Sequence, residues 1–212
     1  MNPIANKPKA LGRPKSSAKR RAILQCASEL FLLNGYSHTS MDEVAKTSQV
    51  SKQTVYSHFS NKETLYTAVI EQKCEQYQVE AASICLTTSP LADLLDGIAQ
   101  RFLSLLCDPG VIAMYSVVIG ESKNNPEVAQ LFYDAGPLHS VKLVAKLLQD
   151  HPDSNLDETS SMDVSHDFFN LLKGDFHMRS MLNLHYNDML ADPSYRIKVV
   201  HKTLAIIAYV KG

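Results

Sequence analysis

Residues 51–65 of this chain have the sequence S-K-Q-T-V-Y-S-H-F-S-N-K-E-T-L. Ser51 stands where a helix N-cap is expected, because its hydroxyl can accept a hydrogen bond from a backbone N–H of the first turn. Val55 and Phe59 follow four residues apart, the spacing of two side chains on one side of a helix. The stretch therefore predicts a short helix that packs through Val55 and Phe59.

The other side of this helix carries more polar side chains than a merely solvated face requires. They are Lys52, Gln53, Thr54, Tyr56, Ser57 and His58. A second cap at Ser60 or Asn61 begins another helix at Lys62, and that helix N-terminus could hold a phosphate. We interpret the short helix as a recognition helix for DNA.

A partner helix precedes the recognition helix. Ser40-x-x-Glu43 is a capping-box pattern, and residues 47–50 form a short turn into Ser51. The apolar face of this partner consists of Met41, Val44 and Ala45. An earlier amphipathic helix, marked by Ile23, Ala27, Leu30 and Phe31, is predicted to end at Asn34-Gly35. The region is thus predicted to be a helix-turn-helix unit of three helices with the start of a fourth.

Three spaced motifs run through this region. They are Phe31-x-x-x-Gly35-Tyr36, Thr39-x-x-x-Glu43-Val44-Ala45 and Val55-Tyr56-x-His58-Phe59-x-x-Lys62-Glu63-x-Leu65. Together they resemble the DNA-binding domain of TetR-type bacterial transcriptional regulators, over roughly residues 18–70. The resemblance implies a helical homodimer with an N-terminal DNA-binding domain.

Two glutamines depart from the pattern of that family. Gln49 stands at the end of the second helix, where the family usually has glycine, so a side chain must accept a positive φ at a cost of about 1 kcal/mol. Gln53 also stands where glycine is frequent, and its amide can pair with N6 and N7 of adenine. We therefore expect Gln53 and Thr54, at the start of the recognition helix, to contact base edges.

The remaining DNA contacts are expected at phosphates. The match to the family motif and the positive helix start assign Tyr56, His58 and Lys62 to phosphate contacts. Further candidates in and around the helix-turn-helix unit are Thr39, Ser40, Ser51, Lys52 and Ser57.

The first 66 residues are basic. They carry ten Lys and Arg against four Asp and Glu, a balance of +6, whereas the rest of the chain has a balance of −7. Residues 1–16 hold three prolines and only basic charges, which predicts a disordered arm. Its Arg13 could enter an A·T-rich minor groove, or the arm could simply be a solubilising tail. This asymmetry of charge favours DNA as the partner.

Several classes of protein are not indicated. The chain has no run of about 18 apolar residues and no signal-peptide pattern, so we expect a cytoplasmic protein without membrane contact. The cysteines at 26, 74, 85 and 107 form no C-x-x-C pair and no zinc-site spacing. We expect free thiols that pack as small core residues, with redox sensing by Cys74 or Cys85 as the alternative. No cofactor is expected.

The rest of the chain has helical spacing. A connecting helix is predicted from Lys62 to about Cys85, and clusters of Pro, Gly and Asn separate five further segments. These are Leu91 to Cys107, Pro109 to Lys123, Pro126 to Gln149, Thr159 to Tyr186 and Pro193 to Lys211. Gly136-Pro137 should break or kink the third of them. We predict an all-α chain with a basic arm over 1–16, a helix-turn-helix domain over 17–66, and a ligand-binding and dimerisation domain over 67–212.

A cavity in the C-terminal domain is the expected effector site. Its candidate walls are Met114, Tyr115, Val118, Phe132, Phe168 and Met178, with Tyr115 or His177 as polar contacts. The expected effector is a small apolar or amphipathic molecule that shifts the connecting helix and releases the DNA. Aromatic and methionine residues at helical spacing can also simply pack, and the domain would then bind a protein partner as an adaptor.

The last two predicted helices have apolar residues on two faces. A helix of this kind is central in a core or shared with another subunit. The predicted dimer interface consists of Phe169, Leu172, Phe176, Ile197, Val200, His201, Leu204 and Ile207. A two-fold dimer would bind an inverted-repeat operator, whereas a large monomer core is the alternative.

One enzymatic alternative is a metal-dependent phosphohydrolase. His139, His166-Asp167 and Asp192 stand in the order of the H, HD, D metal set of all-α phosphohydrolases, which could activate a water molecule. A His-Asp dipeptide is common, however, and the sequence has no nucleophile motif or nucleotide-binding loop. We therefore predict a transcriptional regulator, a repressor in sign, and not an enzyme.

Overall fold

The computed structural model describes residues 16–77, 89–184 and 193–211, which contain helices and no strand. The helices are α1 Ser17–His38, α2 Met41–Thr47, α3 Lys52–His58, α4 Lys62–Glu75, α5 Leu91–Leu106, α6 Pro109–Ser122, α7 Pro126–Tyr133, α8 His139–Asp150, α9 Glu158–Met181 and α10 Pro193–Lys211. A π-helical turn, Asp134–Leu138, joins α7 to α8. The prediction of an all-α chain is confirmed.

Side-chain caps fix the starts of α2, α3 and α4. The hydroxyl of Ser40 accepts from the backbone N–H of Glu43 at 3.1 Å, and that of Ser51 accepts from Thr54 at 3.2 Å. Asn61 caps α4, because its Oδ1 accepts from the backbone N–H of Thr64 at 2.8 Å. Each cap satisfies a donor that the helix itself leaves unpaired, and a cap contributes about 1 kcal/mol. The sequence allowed Ser60 or Asn61 as the cap before Lys62, and in the structure the cap is Asn61.

Two residues near the helix-turn-helix unit have positive φ. Gly35 has a φ of 76°, so the regular helix is interrupted there, as predicted, and a further turn to His38 follows across a kink. A Cβ at Gly35 would displace the carboxylate of Glu121, which is the movable end of a side chain, so it is the positive φ that favours glycine there. Gln49 has a φ of 55°, which confirms that a side chain occupies this left-handed position.

The apolar side chains form two clusters. The first lies among α1 to α4 and includes Phe31, Val55 and Leu65, but it also takes in Met114 and Val118 of α6. The second consists of apolar residues of α5, α8, α9 and α10. Its largest fully buried members are Leu94, Leu95, Leu103, Leu106, Leu148, Phe168 and Leu172. Each fully buried side chain of this size contributes about 1.5–3 kcal/mol, so both clusters hold their helices together independently.

Gly136-Pro137 does not break the third predicted segment. The backbone widens there into the π-helical turn, and this turn accommodates Pro137, which has no N–H to donate. A Cβ at Gly136 would lie 3.3 Å from the side chain of Ile70, so α4 packs closely against this turn. The proline therefore widens the helical path between α7 and α8 without interrupting it.

Two predicted helices extend beyond the described residues. α4 is described as far as Glu75, and the predicted continuation to Cys85 lies outside the described residues, as does the arm with Arg13. α9 ends at Met181, short of the predicted Tyr186, which also lies outside. Within α9, Gly174 has a φ of 48° and bends the helix.

None of the single helices described is long and apolar enough to cross a membrane. The bent pair α5 and α6, with 65° between them, reaches that length and apolar content only when taken together.

Candidate functional site

The exposed face of α3 carries the polar groups predicted for DNA recognition. Lys52, Gln53, Tyr56 and Ser57 are exposed, whereas Val55 and Phe59 are buried in the first cluster. The phenol ring of Tyr56 is 50% exposed, although a large apolar ring would ordinarily be covered. The predicted division of α3 into an inner and an outer side is confirmed.

Hydrogen bonds within α3 hold several of these polar side chains in place. The hydroxyls of Ser51 and Thr54 lie 2.8 Å apart, and the hydroxyl of Ser57 donates to the carbonyl of Thr54 at 2.7 Å. Lys52 forms an ion pair with Asp42 of α2, but both side chains are exposed, so the pair is weak. A phosphate could therefore displace Asp42 from Lys52 at little cost.

Thr39 is not placed to contact DNA. Its side chain is buried, with 2% exposed, and its hydroxyl donates to the carbonyls of Gly35 at 2.8 Å and Leu30 at 3.2 Å. These bonds satisfy carbonyls at the end of α1. The prediction of Thr39 as a DNA contact is wrong because the residue fastens the end of that helix.

Lys62 also has an internal role. Its ammonium donates to the carbonyls of Tyr36 at 2.8 Å and Thr39 at 3.0 Å, and it lies 4.2 Å from the centre of the Tyr36 ring. An ammonium has three donors, and these contacts use most of them on backbone carbonyls at the end of α1. The predicted phosphate contact of Lys62 does not fit this geometry, whereas capping of α1 does.

An open groove lies beside these residues on the surface. It is lined by His38, Ser40, Tyr56 and Lys62, together with Asp42 and neighbouring residues of the turn after α1. Ser40 and Tyr56 are exposed and offer hydroxyl groups at its edge. The predicted candidates Ser40 and Tyr56 thus lie together, and His58 is half-buried next to Phe59.

A cavity of about 390 Å³ lies where the two apolar clusters meet. Val69, Ile70 and Met114 border it from the first cluster, and Leu106 and Phe169 border it from the second. The other lining residues are Ser28, Leu32, Lys73, Cys74, Phe102, Leu105, Gly110, Val111, Tyr115, Phe132, Tyr133, Gly136, Pro137, Ser140, Val141, His166, Asn170 and Lys173. Its volume is in the range of small-molecule sites.

The predicted pocket residues are only partly brought together. Met114, Tyr115 and Phe132 line the cavity, and Tyr115 packs against Phe132 with ring centres 4.9 Å apart. Val118 and Phe168 are buried in the two clusters and do not line it.

Two predicted residues at the end of α9 also differ. His177 is buried behind Tyr115, with ring centres 5.1 Å apart. Met178 is 55% exposed, so its assignment to the pocket is wrong. The bend at Gly174 changes the face that α9 presents, and a regular helical period could not predict it.

Sequence reasoning missed two lysines of the cavity. Lys73 belongs to α4 and Lys173 to α9. The sequence signal for Lys173 is weak, because it is the one Lys or Arg from residue 168 to 178 but the same stretch also holds Asn170 and Asp175. Burial lowers the pKa of Lys173, since the protein interior disfavours its charged form.

A carboxylate at the edge of the cavity ties α4 to α6. Asp108 accepts from the Lys73 ammonium at 2.8 Å and from the Tyr77 hydroxyl at 2.6 Å. Its other oxygen caps α6 by accepting from the backbone of Gly110 at 2.8 Å and Val111 at 3.1 Å. Burial raises the pKa of Asp108, but the hydrogen bonds from Lys73 and Tyr77 outweigh it, so the pKa lies below its ordinary value.

Cys74 is a free thiol in the described part of the chain. Cys74 is buried in the cavity wall, and burial raises its pKa to about 11, which disfavours the reactive thiolate. Cys26 and Cys107 are half-buried, and Cys85 lies outside the described residues. The expectation of a core thiol at position 74 is confirmed.

Most of the predicted dimer residues pack within the protomer. The buried ones are Phe169, Leu172, Phe176, Val200 and Ile207, all with 5% or less exposed. Their assignment to the dimer interface is wrong, because the second cluster of the same chain covers them.

Three of the predicted dimer residues remain at the surface of α10. Ile197 is 46% exposed, His201 is exposed, and Leu204 is half-buried. Met178 of α9, Leu182 just after that helix and Tyr209 of α10 are also exposed, with 55%, 61% and 87% exposed. Exposed apolar side chains in such number on two neighbouring helices are typical of an interface.

The residues of the metal-site hypothesis do not converge. Among the residues that the structure describes, no three His, Cys, Asp or Glu side chains could hold a metal ion. His166 lines the cavity, and Asp192 lies outside the described residues.

A polar joint connects the helix-turn-helix unit to α6 and α7. The hydroxyl of Ser37 donates to the Glu121 carboxylate at 3.1 Å and accepts from the Asn125 amide at 2.8 Å. Earlier in α6, the sulfur of Met114 accepts from the Tyr66 hydroxyl at 3.9 Å. The first half of α6 thus lines the cavity and contacts Tyr66 of α4, and Glu121 near its end contacts Ser37 of α1.

Two family models match the chain. The model described as bacterial regulatory proteins, tetR family, matches residues 23–69, which hold α2, α3 and most of α1 and α4. The model described as AefR-like transcriptional repressor, C-terminal domain, matches residues 93–208.

Several curated relatives are similar over part of their length. The transcriptional repressor ComR of Escherichia coli K12 is 35% identical over 101 residues, which cover 45% of this chain and 48% of ComR. The transcriptional activator FasR of Mycolicibacterium smegmatis is 32% identical over 88 residues, which cover 42% of this chain and 40% of FasR. The chain thus spans about half the length of the curated relatives it matches.

Solved structures match over nearly the whole chain. A TetR-family regulator from Mesorhizobium loti is 25% identical with a TM-score of 0.70, over 92% of this chain and 98% of its own. The flavonoid-responsive regulator FrrA is 25% identical with a TM-score of 0.67, over 92% of this chain and 97% of its own.

Proposed function

The chain belongs to the TetR family of bacterial regulatory proteins, with a C-terminal domain of the AefR-like repressor type, and from this premise we propose that it is a dimeric, effector-controlled DNA-binding repressor. The observation that carries the proposal is the exposed polar face of α3, which the buried Val55 and Phe59 hold rigidly against the first cluster. Such a face fits the major groove of DNA.

The bases are contacted by the start of α3. Gln53 is exposed at the second position of the helix, and its amide can form two hydrogen bonds with adenine. Lys52, Ser40 and Tyr56 border this position and supply contacts to phosphates. The operator is an inverted repeat, because a two-fold dimer presents two identical copies of α3.

The effector occupies the cavity between the two clusters. α6 supports this assignment, since its first half lines the cavity and Glu121 near its end contacts Ser37 of α1. A molecule that displaces α6 changes the position of α1 and, with it, the separation of the two α3 helices in the dimer. The similarity to a flavonoid-responsive regulator favours a small organic effector.

The sign of regulation follows from the C-terminal match, which is to a repressor domain. A repressor of this kind acts in the cytoplasm, where its operator is. Among the curated relatives, ComR is a repressor and FasR an activator, so transcription from the bound promoter must be measured with and without the protein.

The proposal is tested by selecting duplexes from a random pool with the purified protein. We expect enrichment of an inverted repeat. Gln53→Ala should weaken binding by about 1 to 3 kcal/mol at one symmetric pair of positions and relax the preference there. Thr47→Ala, at the exposed end of α2, is the matched control and should leave both affinity and preference unchanged. Equal loss on selected and random duplexes would contradict base contact by Gln53.

A further inference from the structure

We infer that the effector is an amphipathic anion, a molecule with an apolar body and one negatively charged group that is held by Lys173. The inference rests on the proposed function, because it names the chemical class of the molecule that fills the cavity of that regulator.

The apolar body is accommodated by one side of the cavity. Phe102 and Phe169 pack edge to face with ring centres 4.5 Å apart, and Val111 and Met114 continue the same surface from α6. These side chains gain by contact with hydrocarbon or aromatic carbon, at about 25 cal/mol for each Å² removed from water. The site therefore favours a body of low polarity.

Three polar side chains of the cavity form a strip along α9, while Ser28, Lys73 and Ser140 line it from other helices. His166, Asn170 and Lys173 recur at the spacing of one helix face, and all three line the cavity. The strip adjoins the apolar surface, because Phe169 stands on the same face of α9 between His166 and Lys173. A ligand that is apolar throughout would leave the strip without partners.

The charge of the cavity is positive. Lys73 and Lys173 line it, and no Asp or Glu is among the described residues that do. Lys73 is already paired with Asp108 at 2.8 Å, whereas Lys173 has no carboxylate partner in the described part of the chain.

An anionic ligand would supply the negatively charged partner that Lys173 lacks in the described part of the chain. A partly buried cation without a partner is unfavourable, and the pKa of Lys173 is lowered for that reason. A carboxylate, sulfonate or phenolate placed beside it restores a charge-assisted hydrogen bond. A cationic ligand would instead meet the charge of Lys173, and the carboxylate of Asp108 is already engaged by Lys73.

The experiment compares two fluorescent probes that share an aromatic body. The anion is 8-anilinonaphthalene-1-sulfonate, and the neutral probe is N-phenyl-1-naphthylamine, which lacks only the sulfonate. Lys173→Met should weaken binding of the anion about ten-fold and change binding of the neutral probe by less than about two-fold. Lys173→Arg keeps the charge and should retain binding of the anion. Lys142→Met, which removes an exposed lysine of α8, is the matched control and should affect neither probe.

Two further measurements locate the bound probe. Val111→Trp fills the cavity and should abolish binding of both probes, while circular dichroism verifies that the variant is folded. Lys173→Met should melt no lower than the wild-type protein, because the substitution removes an unpaired charge. Release of the selected operator duplex by the anion should require about ten-fold more probe for Lys173→Met than for wild type.

The possible failures are distinguishable. Unchanged anion binding in Lys173→Met, or an equal loss for both probes, overturns the assignment of the charge. If the neutral probe releases the operator as well as the anion does, the effector is not an anion but the proposed regulator stands. If Val111→Trp binds both probes like wild type, the cavity is not the effector site and both proposals fail.

Discussion

Lys62 shows how the structure assigns a side chain to a task that its motif does not reveal. The sequence places this lysine at a helix N-terminus near the expected DNA backbone, where a phosphate contact is the natural expectation. The structure instead places its ammonium on the carbonyls of Tyr36 and Thr39, 26 and 23 residues earlier in the chain. Contacts between residues so far apart cannot be derived from helical spacing.

The first prediction separates these two roles of Lys62. Lys62→Met should lower the free energy of unfolding by about 2 kcal/mol, because the carbonyls at the end of α1 lose a charged donor. Thermal melting of the free protein measures this effect. Lys46→Met removes an exposed lysine of α2 and should leave the melting temperature unchanged. If Lys62 only bound phosphate, Lys62→Met would melt like the wild-type protein. The slope of log affinity for DNA against log salt concentration would then fall by about one.

Other residues of the site were predictable to different degrees. Gln53, Tyr56 and Lys52 were found from the sequence because α3 is short, capped and clearly two-sided. Thr39 was not, since a polar residue before a helix cap can turn either toward solvent or toward the preceding carbonyls. Lys173 was missed because its importance depends on what surrounds it in three dimensions.

At the scale of elements, the starts and types of helices followed from local chemistry. Capping residues at positions 40, 51 and 61 and prolines at 109, 126 and 193 mark helix starts where the structure has them. The π-helical turn at Gly136-Pro137 could not be derived from the sequence. A widened turn and a break in the helix both tolerate the hydrogen bond that is lost because proline has no N–H. Close packing of α4 on Gly136 decides between them.

α6 is the element that joins the cavity to the helix-turn-helix unit, and its joint can be tested. Ser37→Ala removes the hydroxyl that bridges Glu121 and Asn125, at an exposed position where little stability is lost. We expect operator affinity in the absence of effector to change by less than about 1 kcal/mol, whereas release by effector should weaken. The coupling free energy between effector and DNA is typically about 1–3 kcal/mol, and we expect at least half of it to be lost.

The measurement is a titration of operator binding at several concentrations of the anionic probe. Ser122→Ala, also a serine of this region but hydrogen-bonded only to the carbonyl of Ile119, is the matched control. Full coupling in Ser37→Ala would show that the joint does not transmit the effect of the ligand.

At the scale of the whole molecule, the sequence does not show which apolar faces of α9 and α10 contact a second subunit. Two apolar faces on α9 and α10 indicate that both are covered, but the pattern is the same whether the cover comes from the same chain or from another. Inside the protomer the structure buries Phe169, Leu172 and Ile207 and leaves Ile197 and Met178 exposed.

The dimer prediction therefore moves to the exposed residues. Ile197→Arg should give a monomer at micromolar concentration that loses operator binding, because the charge would be buried without a partner in the interface. Sedimentation velocity measures the oligomeric state. Ile119→Arg, on α6 with 58% of the side chain exposed, is the control and should remain dimeric. A dimer that survives Ile197→Arg with wild-type affinity for DNA would place the interface elsewhere.

The position of the cavity between the two apolar clusters bears on how the molecule responds to heat. Two clusters that meet at a cavity can open one after the other, since each has buried side chains of its own. A ligand in that space touches Met114 on one side and Phe169 on the other and is released when either side opens. A bound ligand therefore couples the two clusters, because the opening of either one loses the binding free energy. Two overlapping calorimetric transitions should then become a single one.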